Sequence, residues 1–263
     1  MTTSAPAQPG RTYRPMTAWR LERLRMTRSP RAISLMAVYL FFGLLGPLTA
    51  KFLQDIVNRA QPGIQIIVAH PTPRDGIANF ISQAGQTGLV VTVVIAASAL
   101  TFDARRGLST FLRTRVDNMW QLVVPRFVVS VTATIAAYTI GTLAAWYETA
   151  LLLGPPPVAA MLAGLLCGSV YLIFAVSVAS LAASVARGTL AVVGLALGGL
   201  LALPLIGLAA PLHDWLPSTL LTASVELLGH AGLSDYLPAL ASGVVGSALL
   251  LTAATLRLGR REV

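Results

Sequence analysis

The 263-residue sequence is 55% apolar, only 11% charged, and carries a formal net charge of +9. A soluble fold would need roughly a quarter of its residues charged to cover its surface, and a disordered chain would be poor in apolar residues, so both classes are excluded. The single cysteine, Cys167, permits neither an intrachain disulfide nor a cysteine-based zinc site. What remains is an integral membrane protein, and the apolar run lengths taken below make the expected fold class all-α.

In chain order, residues 1–31 form a cytoplasmic N-terminal segment. Met1 to Gly10 is rich in Pro, Ala, Ser and Thr, the composition of a disordered tail. Thr17 to Arg28, TAWRLERLRMTR, consists of strong helix formers with Thr17 as a cap. Leu21 and Leu24 fall on one narrow stripe, Trp19 and Met26 on another. Because long arginines can snorkel, the segment is expected to be a helix lying in the membrane interface. Ser29-Pro30 then turns the chain into the first span.

A bilayer-spanning helix needs about 20 mostly apolar residues. Six charge-free stretches reach that length, bounded by Arg31 and Lys51, Asp75 and Asp103, Arg126 and Glu148, Glu148 and Arg187, Arg187 and Asp214, and Asp235 and Arg257. The fourth is interrupted by Gly154-Pro155-Pro156-Pro157, which reads as a turn. The expected spans are residues 33–53, 83–102, 122–146, 158–183, 189–211 and 237–256 of a membrane domain covering 32–256, followed by a tail, 257–263. The first span is long enough to stay as an anchor, which argues against a cleaved signal peptide.

With both termini in the cytoplasm, all of the 19 basic residues except Lys51, Arg59 and Arg74 fall on the inner side. The four tryptophans, Trp19, Trp120, Trp146 and Trp215, lie beside span ends, as an interfacial belt requires. The positive charge is thus a topology signal with contact to anionic lipid, and it implies no nucleic acid. Lys51 is the only lysine among the basic residues, and with abundant Ala and Gly this suggests a GC-rich bacterial genome, hence a bacterial plasma membrane.

No catalytic or cofactor-binding residue is assigned. A phosphate-binding loop needs a Gly-Lys-Ser/Thr step, and Lys51 follows Ala50. His70, His213 and His230 are far apart in expected outer loops and read as surface polar groups rather than as metal ligands. The spans hold no ionisable side chain between their flanking charges, which weighs against proton-coupled transport and against an intramembrane enzyme. Cys167 reads as a small packing residue.

The second inner segment, Asp103 to Arg126, contains Leu108, Phe111 and Leu112 at helical spacing, ringed by Arg105, Arg106, Arg113 and Arg115. It can be a solvated loop that holds topology, or a docking helix whose apolar knobs enter a groove on a cytosolic partner.

An arginine-rich helix before span one, a long outer loop, and a second span ending in Asp103-Ala104-Arg105-Arg106-Gly107-Leu108-Ser109-Thr110 together resemble the bacterial type-2 ABC transporter permeases. In that family the segment is commonly Glu-x-x-x-Gly-Thr, and Arg113-Thr114-Arg115-Val116 is similar to its Thr-Pro-Val tract without the proline. The resemblance implies a permease subunit working as a dimer with a second permease chain. Separate cytosolic ABC ATPase subunits would bind ATP and Mg and dock on a coupling helix carrying Asp103, Arg105, Arg106, Gly107, Leu108, Phe111 and Leu112. It implies that spans two and five line the substrate path, where span two offers Gln83, Gln86, Thr87, Thr92 and Ser98. Span five offers Gly194, Gly198, Gly199, Pro204 and Gly207. The repeats Gly164–Gly168 and Gly194–Gly198 also read as small-residue packing motifs. The implied cargo is an amphipathic compound such as a drug, antibiotic, lipid or peptide, exported from the cell. A structural or assembly protein and a passive channel are the alternatives.

Overall fold

The computed structural model describes residues 18–60, 71–101, 120–207, 210–229 and 231–260. Among these, six helices are long and apolar enough to cross a membrane: Pro30–Leu53, Pro73–Leu100, Trp120–Leu152, Val158–Val185, Thr189–Ile206 and Leu233–Gly259. No strand occurs among the described residues.

The first helix, α1 (Ala18–Thr27), precedes span one. Its last turn is closed by Thr27 Oγ1 donating to Arg23 O at 3.0 Å, and by Ser29 Oγ donating to Met26 O at 3.2 Å. Glu22 and Met26, one turn apart, are its buried residues, while Trp19 and Leu21 are exposed. The inward stripe therefore includes a carboxylate, which hydrophobic spacing could not reveal.

Helix α2 (Pro30–Ala60) opens with proline, whose missing N–H would have no intrahelical partner there. It runs through Pro47, and neighbouring helices make such a residue tolerable within a membrane bundle. Span two is built from α3 (Pro73–Gln83) and α4 (Leu89–Leu100), joined by a π-helical turn at Ala84–Gly88. It starts at Pro73 rather than near Gln83. The Asp75 carboxylate accepts from the Thr72 N–H at 2.8 Å and from the Thr72 hydroxyl at 2.7 Å, so a charged first turn becomes a capped helix start.

Helix α5 (Trp120–Leu152) packs most extensively on α2. Lipid offers no hydrophobic drive between spans, so small residues that let backbones approach dominate such contacts. A Cβ on Gly43 would stand 2.3 Å from the Gly141 carbonyl oxygen, and one on Gly141 would stand 2.6 Å from the Tyr39 carbonyl oxygen. The two helices touch backbone to backbone at this point. The buried face of α5 continues this logic with Ser130, Thr134, Tyr138, Thr142 and Thr149.

Gly154, with φ of 111°, makes the turn after α5; only glycine adopts that conformation without strain. Helix α6 (Val158–Val185) follows at the centre of the bundle, touching α4, α5 and α7 (Thr189–Ile206). Gly164 and Gly168 are both occupied packing positions, against Ser224 and the Tyr138 ring respectively. Gly194 and Gly198 differ: a Cβ on either would meet nothing within 4 Å. The packing reading of that second repeat is therefore not realised within one chain.

Span five ends at Ile206, before the expected boundary, with Pro204 inside the helix. After it, 3₁₀ turns at Ala210–Trp215 and Pro217–Leu221 lead into a one-turn helix, α8 (Ala223–Glu226). This stretch was expected to be outer loop, yet Pro217, Leu220, Ala223 and Ser224 are buried. The chain folds back against the spans, where Leu221 packs on Gly85 and Ser224 on Gly164. The last helix, α9 (Leu237–Arg260), packs mainly on α6. Near its end Leu258 meets Val123 of α5, so α1, the start of α5 and the end of α9 share one end of the bundle, called proximal below.

Candidate functional site

Among the described residues, two polar features open to the surface of the bundle. The first is the π-helical turn of span two. Gly85 receives the Leu221 side chain and Gly88 receives the Tyr39 ring, whose Cε1 would stand 3.0 Å from an added Cβ. Two glycines used this way let a wide turn fit between neighbours. Between them Gln86 and Thr87 are exposed, and Gln83 just before them is half-buried. Single π turns inside helices are frequent at functional positions.

The other expected path residues are placed differently. Thr92 is buried, and its hydroxyl bonds the Tyr39 hydroxyl at 3.1 Å. Ser98 is half-buried and donates to Ile95 O of its own helix at 2.8 Å. Thr92 thus belongs to an aromatic centre rather than to an open surface. In that centre the Tyr39 and Tyr138 rings meet edge-on at 5.9 Å, and Phe80 stacks on Tyr138 at 6.3 Å. The space left between Tyr39, Tyr138, Tyr171 and Gly168 is about 10 Å³, at most one water. Among the described residues, this aromatic centre is filled.

The second feature is a cleft of about 410 Å³ at the end opposite the proximal one. Its apolar side comes from Pro204, Gly207 and Leu221; Asp214, Glu226 and Asp235 give it negative charge. The Tyr236 hydroxyl donates to Glu226, and Asp235 accepts from the Gly232 N–H at 3.0 Å, so two of the three carboxylates are fixed in place. Such a lining suits a molecule with an apolar body and a cationic or hydrogen-bond-donating head. Sequence reasoning missed this cleft because residues 217–226 read as loop; the buried character of Leu220 and Ala223 emerges only when the segment folds back.

The expected coupling residues, Asp103, Arg105, Arg106, Gly107, Leu108, Phe111 and Leu112, lie outside the described residues. So do His70 and His230, while His213 lines the cleft. Among the described residues no group of His, Cys, Asp and Glu is arranged to hold a metal ion. Cys167 is a buried free thiol. Comparison with known protein families, curated proteins and solved structures finds no match for this chain.

The class defined by these features is a polytopic helical membrane protein, with six helices among the described residues long and apolar enough to span a bilayer. Among the described residues its aromatic centre leaves room for at most one water, while Gln86 and Thr87 of the π turn are exposed.

Proposed function

We propose that this chain is the membrane-spanning permease subunit of an ATP-driven ABC exporter, acting in the bacterial plasma membrane on an amphipathic compound. The observation that carries the reading is the filled aromatic centre among the described residues, set beside exposed small and polar residues on the π turn and α7. A path through Tyr39, Phe80 and Tyr138 is blocked. Helices α4 and α7 are neighbours, joined by a hydrogen bond of 3.1 Å between Thr101 and Thr189. The π turn that precedes α4 carries the exposed Gln86 and Thr87, and α7 carries the exposed Gly194 and Gly198. A second permease chain facing that side would enclose a path between the two copies, with the distal cleft near its mouth. The glycines permit close approach of helices there.

Energy would come from cytosolic ABC ATPase subunits that hold ATP and Mg, since the sequence has no phosphate-binding loop of its own. The basic proximal end faces the cytoplasm in this reading, in keeping with the positive-inside rule. Its test is purification of the tagged chain from its native membrane, followed by identification of co-purifying proteins and assay of ATP hydrolysis. A stoichiometric ATPase with a phosphate-binding loop, and no hydrolysis by the chain alone, is expected. Absence of such a subunit under conditions that keep the chain folded would overturn the assignment.

A further inference from the structure

We propose that α1 is a recognition surface for anionic phospholipid, clamped to the bundle so that it presents only positive charge. The argument begins with its one carboxylate. Glu22 is withdrawn from the surface, its Oε1 accepting from Arg126 Nε of α5 at 2.8 Å. Arg25 reaches the same oxygen at 3.8 Å. Arg20, Arg23 and Arg28 are exposed, and none has a carboxylate partner among the described residues. The outward side of α1 is therefore uniformly cationic.

Trp19 and Leu21, each about half exposed, stand beside these arginines. A guanidinium row flanked by an indole and an aliphatic side chain matches the boundary between phosphate headgroups and acyl chains. The tether decides between a lipid surface and a soluble acidic protein. Only Arg28 and Ser29 separate α1 from the start of span one, and α1 packs on both α2 and α5. The helix thus cannot leave the headgroup level. This inference does not depend on the transport reading.

The test is hydrogen–deuterium exchange of residues 18–28 in the full chain, in nanodiscs of phosphatidylcholine alone or mixed with phosphatidylglycerol. A basic residue near an anionic surface contributes about fivefold, so exchange is expected to slow by roughly tenfold or more in the mixed discs. High salt should remove the difference in the unaltered protein, a control needing no variant. The triple variant Arg20→Gln, Arg23→Gln, Arg28→Gln keeps the Glu22–Arg126 pair and should exchange equally in both lipids. Equal exchange of the unaltered chain in the two discs would overturn the proposal, as would an undiminished lipid response in the triple variant. Protection in neutral discs by inorganic phosphate alone would replace the lipid surface with a phosphate site. Protection by a polyglutamate peptide, but not by phosphatidylglycerol, would replace it with an acidic protein partner.

Discussion

Glu22 and Arg126 form an ion pair withdrawn from solvent, joining the helix that precedes the spans to the first turns of span three. Charges removed from water are stabilised only as a pair, because each alone keeps its desolvation penalty. The prediction is that Glu22→Leu or Arg126→Met alone lowers stability by about 3–5 kcal/mol, whereas the double substitution costs less than the two single losses added together. Thermal unfolding in detergent distinguishes the cases. Equal melting of all four proteins would mean that the pair is hydrated and carries little.

A second prediction separates the core of span two from its surface. Thr92→Val removes the partner of the Tyr39 hydroxyl inside the bundle and should cost about 1–3 kcal/mol of stability. It should leave any substrate preference unchanged. Gln86→Ala, on the exposed π turn, should leave melting within about 0.5 kcal/mol of the original but change transport or ligand-stimulated ATPase activity. If the two variants exchanged these phenotypes, the assignment of Gln86 rather than Thr92 to a path would be reversed.

How far the sequence could go is clear from particular residues. The apolar stretches announced six long helices, because lipid demands length and an absence of charge, both of which can be counted along a chain. The Gly154 turn was equally readable, since three prolines follow it. The start of span two at Pro73 was not, because Arg74 and Asp75 look like loop until Thr72 caps them and Arg74 Nε donates to Val225 O at 3.2 Å. Nor was the fold-back of residues 217–226. Pro217 and Thr222 signal turns, and only tertiary contact with Gly85 and Gly164 shows that the turns are buried. For the candidate site, the family resemblance pointed to span two, and polarity within that span grouped Gln83, Gln86, Thr87, Thr92 and Ser98. Which face each residue occupies depends on the π turn, and no periodicity of 3.6 anticipates it.

Topology offers a third prediction. In a Cys167→Ser background, cysteines at Asp75 and Ser234 should react with a membrane-impermeant reagent applied from outside. One at Ser109 should react only after the cytoplasmic face is opened. Both helix starts, at Pro73 and Leu233, lie at the end opposite α1, so they must label alike whichever way the bundle faces. Labelling of Ser109 from outside would invert the orientation and place the basic end of the protein outside the cell.

The last prediction contrasts two glycines that look alike in sequence. Gly141 touches the Tyr39 carbonyl, so Gly141→Leu forces α2 and α5 apart within one chain. Overpacking of this kind typically costs about 1–3 kcal/mol, and contact with backbone rather than a mobile side chain places it at the upper end. Gly198 meets nothing within 4 Å, so Gly198→Leu should leave the melting of a single chain unchanged. If two chains pair across α7, however, the added side chain stands where the partner helix must approach. Native mass spectrometry should then show the original protein as pairs, with Gly198→Leu released as single chains of normal stability. A cysteine replacing Gly194 in the Cys167→Ser background should form disulfide-linked pairs, and Gly198→Leu should suppress them, because disulfide geometry needs Cα atoms about 4.4–6.8 Å apart. Single chains throughout, with no cross-linking at Gly194, would remove the paired path. The open side of α7 would then be a face for lipid alone.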